Sequence, residues 1–265
     1  MKHILVVGNS RPGMLRSALT ADPLALELPF EVSFFATLGG SGPYARPSVE
    51  GLEATEQISE DRVFWVPPEA SRRPLASYDA ILISALGFID GWKVEIPAVS
   101  RVRLLPFGPL GDSDSAPISE GRFREVIAAA LDAQPGFHFL RALRQAYQGE
   151  IIVQPFPYHP ASVVSRPDWQ LAKRYSDPVG LYKLLCEIKD SHLERVTREL
   201  GVTLLDYPDP KFRETRFTPD ELIDPRDQIH PTAEYGGMVL RQVGAALGAK
   251  RPAARKRRRR SSQAT

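Results

Sequence analysis

The sequence predicts a three-layer α/β/α domain around a five-stranded parallel sheet. Strand-like apolar runs alternate with helix-like periodic segments along residues 1–249, the pattern of a sheet covered by helices. The later runs are near-continuously apolar, as strands buried on both faces are. Glycines follow the first two runs, where loops must turn tightly.

In chain order, Ile4 to Val7 form the first strand, closed by Gly8. "PGMLRSALTADP" then places Met14, Leu15, Ala18 and Leu19 at helical spacing, with Pro12 in the first turn, where its missing N–H costs nothing. "FEVSFFAT" from Phe30 to Thr37 is the second strand and runs into "LGGSGP". The third strand lies in Tyr78 to Phe88, the fourth in Gly149 to Pro157 and the fifth in Val202 to Pro208. Helical patterns fill the intervals: "SEGRFREVIAAALDA", "FHFLRALRQAY", "GLYKLLCEIKDSHLERVTREL" and, after the fifth strand, "PTAEYGGMVLRQVGAALG". Five such strands fit a flavodoxin-like order. Proline-rich insertions near 91–119 and 158–180 read as binding loops or lids.

Net charge is +2, yet Lys250 to Arg260 hold eight basic residues and no acidic one, which leaves −6 for residues 1–249. The segment 250–265 reads as a disordered basic tail with potential for polyanion contact. Cys186 is the sole cysteine, so no disulfide within the chain is possible; its helical, apolar surroundings predict a buried thiol and a reducing compartment. No run of about 18 apolar residues is present to span a bilayer. The apolar run before Gly8 is shorter than the roughly seven to fifteen residues of a signal segment. A cytoplasmic protein is expected.

In an open parallel sheet, ligands bind beyond the carboxyl ends of the strands. Ser10, in "GNSRPG", stands there, just before a helix whose N-terminus favours developing negative charge. A serine hydroxyl needs a base to become a nucleophile, and that base is commonly a histidine held by a carboxylate. "DPRDQIHPT" supplies Asp227 and His230 immediately before the last helix, with Asp224 as an alternative carboxylate.

A GNS motif after the first strand, glycines after the second and D-x-x-H before the final helix resemble the SGNH, or GDSL-type, hydrolases, over most of residues 1–249. The resemblance implies that fold as a single domain, with Ser10 as nucleophile, Asp227 and His230 completing a triad, and no cofactor. It puts the second-block glycine, whose N–H helps hold an oxyanion, at Gly39 or Gly40, and the third-block glycine at Gly87. The family's third-block asparagine has no counterpart in "SALGFIDG". Arg11, Gln154 and His159 are the residues available to replace that donor, whose loss typically costs about a hundred- to a thousand-fold in rate. Asn9 stands where the family more often has aspartate.

The function expected is therefore a serine esterase or acyltransferase-like hydrolase on a small-molecule or carbohydrate ester, working through an acyl-enzyme at Ser10. The alternative is a catalytically weak or inactive carbohydrate- or polymer-binding protein of the same fold. A nucleotide-binding module is disfavoured, because Ser10 occupies the second glycine position of G-x-G-x-x-G and no acidic ribose contact follows. An α/β-hydrolase elbow would read G-x-S-x-G, whereas residue 12 is proline. His3, His138 and His192 read as structural. No metal-binding motif occurs. Trp92, Trp169, Tyr175 and Tyr182 read as lid packing, with sugar stacking as the alternative.

Overall fold

The computed structural model describes residues 1–21, 26–36, 45–54, 73–84, 102–104, 107, 116–169, 171, 173 and 175–248. Its strands are β1 (Lys2–Gly8), β2 (Phe30–Ala36), β3 (Ala45–Ser48), β4 (Gly51–Ala54), β5 (Ala80–Ser84), β6 (Val102–Leu104), β7 (Ala116–Ile118), β8 (Glu150–Gln154) and β9 (Thr203–Leu204). Its helices are α1 (Pro12–Ala21), α2 (Glu120–Asp132), α3 (Pro135–Ala146), α4 (Ala161–Val164), α5 (Pro178–Leu200), α6 (Pro210–Thr215) and α7 (Ala233–Gly248).

Five strands form one all-parallel sheet in the order β2-β1-β5-β8-β9. That is the flavodoxin-like order, whose switch point falls between β1 and β5, where the chain leaves β1 first to one side and then to the other. The register pairs Gly8 with Ala36 and Ser84, and Ser84 with Gln154. These four residues make one row along the carboxyl edge. Ile4 to Val7 and Ala80 to Ile83 are each at most 1% exposed, which is why both runs carry no polar alternation.

Helices cover the sheet in two groups, α1 against α7 and α2 against α3 and α5. Two glycines permit close approach. A Cβ on Gly8 would lie 2.5 Å from the Ser84 carbonyl oxygen and 2.5 Å from Pro12 Cγ, so any side chain there would push α1 off the sheet edge. A Cβ on Gly236 would lie 2.3 Å from the Met14 carbonyl oxygen, so α7 meets the α1 backbone directly. Local signals set the helix starts: the Ser119 hydroxyl accepts from Arg122 N–H and the Asp177 carboxylate from Gly180 N–H, each satisfying an amide the helix leaves open.

Several elements differ from the sequence reading. The β3–β4 hairpin carries Pro47 and no apolar alternation, so periodicity misses it. The first insertion holds a short parallel pair, β6 with β7, and the rest of it lies largely outside the described residues. The second insertion contains α4, which the sequence reading did not separate; Tyr158 and Tyr175 within it and Tyr182 on α5 are buried, and Trp169 meets Tyr182 edge-on at 5.7 Å, the packing expected for these aromatics. Helices α4 and α6 are too short to show an amphipathic period. Cys186 is buried, Trp92 and the tail 250–265 lie outside the described residues, and no described helix is long and apolar enough to cross a membrane.

Candidate active site

The turn after β1 presents Ser10. Asn9 and Ser10 leave the strand, and the carbonyls of Ser10 and Arg11 accept from Gly13 N–H and Met14 N–H at 3.1 Å each. That wraps the chain directly into α1, at the switch point of the sheet.

Residues 222–232 form a closed loop that carries the other two side chains. Thr232 N–H donates to the Leu222 carbonyl (2.9 Å), Asp224 N–H to the His230 carbonyl (2.7 Å), and Ile223 bridges Pro231 in antiparallel sense. Within the loop, Asp227 Oδ1 accepts from both Ile229 N–H and His230 N–H at 2.9 Å. Such a side-chain turn is a standard use of aspartate. It needs Gln228 at φ 59, an uncommon conformation for a residue with a side chain, and Arg166 Nη1 donates to the Gln228 side chain at 2.6 Å. The turn brings the imidazole over the second carboxylate oxygen, and His230 Nδ1 hydrogen-bonds Asp227 Oδ2.

Burial pushes the Asp227 carboxyl up, but the His230 and Ile229 amides and the imidazole outweigh it and hold the group below the usual carboxylate range. An ionised carboxylate can only accept. The proton between the two groups therefore belongs to His230 Nδ1, and in the neutral ring Nε2 is the nitrogen that keeps its lone pair. Ser10 Oγ lies 2.9 Å from His230 Nε2, so the hydroxyl donates to the imidazole. Ser10, His230 and Asp227 thus form one continuous hydrogen-bonded chain. Asp224 is engaged elsewhere: its carboxylate takes Arg226 Nε at 2.9 Å and Arg226 N–H at 2.9 Å, and Arg226 holds it down at about 2.

A cavity of about 260 Å³ opens beside the chain, lined among others by Ser10, Arg11, Ser17, Asp224, Asp227 and His230. Arg11 is 5% exposed; its Nη1 donates to the Ile229 carbonyl and its guanidinium lies over Phe156. Gln154 accepts from the Ser84 hydroxyl at 2.7 Å. His159 does not line this cavity. Its backbone N–H donates to the Tyr182 hydroxyl at 2.7 Å. Burial foremost, then the cations of Lys189 and Arg11, push its imidazole down to about 3, so it is neutral. Gly39, Gly40 and Gly87 lie outside the described residues. Sequence reasoning gave Arg11 no role toward the histidine loop, and no local signal marks a contact across 218 positions. Among the described residues, no group of three or more His, Cys, Asp or Glu side chains is placed to hold a metal ion.

Fold and site together define a flavodoxin-like α/β domain with a serine–histidine–aspartate chain at its switch point. No family model and no curated protein matches the sequence. Among solved structures, the chain is similar to an acetylxylan esterase from Geobacillus stearothermophilus, at 11% identity and TM-score 0.43 over 94% of this chain and 95% of that one. It is similar to an extracellular lipase from Streptomyces rimosus, at 13% identity and TM-score 0.44 over 93% and 100%. A further likeness, at 14% identity and TM-score 0.42 over 93% and 99%, is to a Slackia heliotrinireducens protein described as a candidate SGNH hydrolase. These are likenesses at low identity.

Proposed function

We propose that this protein is a serine hydrolase of esters, acting through an acyl-enzyme at Ser10. The observation that carries the reading is the hydrogen-bonded chain from Ser10 Oγ through His230 to Asp227. In this reading His230 Nε2 takes the Ser10 proton as the oxygen attacks the ester carbonyl. The resulting imidazolium, held by Asp227, then protonates the leaving alkoxide. Water repeats the two steps in the second half and releases the acid.

The tetrahedral oxyanion requires donors already aimed at it. In this reading the Ser10 amide, where the chain turns into α1, is one, and the family resemblance implies the amide of Gly39 or Gly40 as another. An acyl ester on a carbohydrate is the substrate class we favour, by analogy with the family whose motifs the sequence resembles. The reading includes no cofactor.

Hydrolysis of a short aryl acetate and labelling by a fluorophosphonate test the proposal, in the wild type and in Ser10→Ala and His230→Ala. Turnover and labelling in the wild type, both lost in the variants, are expected. A folded wild type that shows neither sinks the esterase reading and leaves a binding protein of the same fold.

A further inference from the structure

We infer that Arg11 is a positioning residue: its side chain ties the histidine-bearing loop to the serine's own turn and so sets the approach of His230 to Ser10. The inference rests on the esterase reading above. Arg11 directly follows Ser10 in the chain, and Nη1 donates to the carbonyl of Ile229, the residue just before His230. Its guanidinium lies 4.6 Å from the centre of the Phe156 ring, in the segment that follows β8. One buried side chain therefore joins three segments: the turn after β1, the segment after β8 and the loop 222–232.

The bonds that close that loop join residues of the loop itself. Leu222 to Thr232, Asp224 to His230 and the two amides on Asp227 fix its internal shape, but none of them reaches the serine turn. A loop of correct shape can still stand at the wrong distance, and a misplacement of about 1 Å costs on the order of a hundred-fold in rate. Arg11 grips the loop by a backbone carbonyl, while the Ile229 side chain is 45% exposed and takes no such part. The grip suits arginine. A planar guanidinium can stack on an aromatic face while its edge donates to a carbonyl, whereas a lysine ammonium is a compact, strongly hydrated charge without that plane.

The test compares wild type, Arg11→Lys and Arg11→Met by two measurements on the full chain: amide hydrogen exchange of the 222–232 segment, and kcat and KM on a short aryl acetate. For Arg11→Met we expect exchange in that segment to accelerate at least about tenfold while β1, β5 and β8 keep wild-type rates. We expect kcat to fall about a hundred-fold, with KM within about twofold and part of kcat restored by added methylguanidinium. Arg11→Lys should fall between the two and serves in place of Arg11→Met if the latter does not fold. Wild-type exchange in the segment, or an unchanged kcat, in the variant overturns the inference. If the wild type itself turns over no ester, the functional reading fails on its own, and the exchange measurement still decides whether Arg11 holds the loop.

Discussion

Asp190 and Asp227 each accept three hydrogen bonds, and the two networks differ in what they leave over. Asp190, on α5, takes the hydroxyls of Tyr158 and Tyr207 and the Arg216 guanidinium, and is only 7% exposed. Tyr158 stacks on Tyr207 with ring centres 4.3 Å apart. Every partner there donates to the carboxylate, and among the described residues the lining of the adjoining cavity of about 130 Å³ contains no serine, cysteine or histidine. Asp227 also takes three, but its side chain is 42% exposed and its third donor is an imidazole. That ring passes the polarity of the carboxylate on to Ser10, at the edge of a cavity. A buried carboxylate whose partners only donate to it fastens secondary structure together, and a carboxylate that acts through histidine onto a hydroxyl can do chemistry.

The largest expected effect that separates the two is on turnover. Asp227→Asn should lower kcat about 10⁴-fold, because the amide no longer enforces the tautomer that leaves Nε2 to accept from Ser10. The urea midpoint should stay near that of wild type, since the group is half in solvent. A large loss of stability with modest loss of turnover would reverse the assignment of roles.

Asp190→Ala should do the converse. Removing one partner of a buried pair leaves Arg216 without its counter-ion, which typically costs about 3 to 5 kcal/mol. Urea unfolding reads this directly, and a midpoint equal to wild type would end the structural reading of that cluster.

Acid provides a third, smaller contrast. His159 is held at about 3 by burial and by nearby cations, below the ordinary histidine value of about 6.5. Between those values the unfolded chain binds the proton that the folded chain refuses, so stability falls as pH drops below about 6.5. The expected loss from pH 7 to 5 is about 2 kcal/mol, at about 1.4 kcal/mol per unit. His192, also pushed down foremost by burial, acts in the same direction. His159→Gln should flatten this dependence; a slope as steep as wild type would assign it to another group.

The smallest effect belongs to Tyr207→Phe, which keeps the stack on Tyr158 and removes one of the hydrogen bonds to Asp190. About 1.5 kcal/mol is expected. A loss as large as that of Asp190→Ala would show that the cluster cannot redistribute its bonds.

Much of this was legible in the sequence because its cause is local. The run Ile4 to Val7 reads as a buried strand, and burial on both faces follows from its lack of polar residues. Asp227 and His230 read as a pair because they stand three apart just before the last helix, and the turn that joins them is built from amides two and three residues beyond the aspartate. The β3–β4 hairpin was not legible, since Pro47 and short strands erase the alternation. Nor was the stacking of Tyr158 on Tyr207, which joins segments 49 positions apart.

The sequence by itself determined that five strands would form the main sheet, that Ser10 would stand at the end of the first, and that Asp227 and His230 would lie close together before the last helix. Each depends on apolar period or on hydrogen bonds within a few residues. The tertiary structure alone decided that His230 reaches Ser10 across 220 positions, that Asp227 rather than Asp224 faces the imidazole, and that Arg11 turns to Ile229. Those outcomes require the strand order β2-β1-β5-β8-β9 and the close meeting of α1 with α7 at Gly236. Strand order and helix contact come from packing between distant segments, which no local pattern encodes.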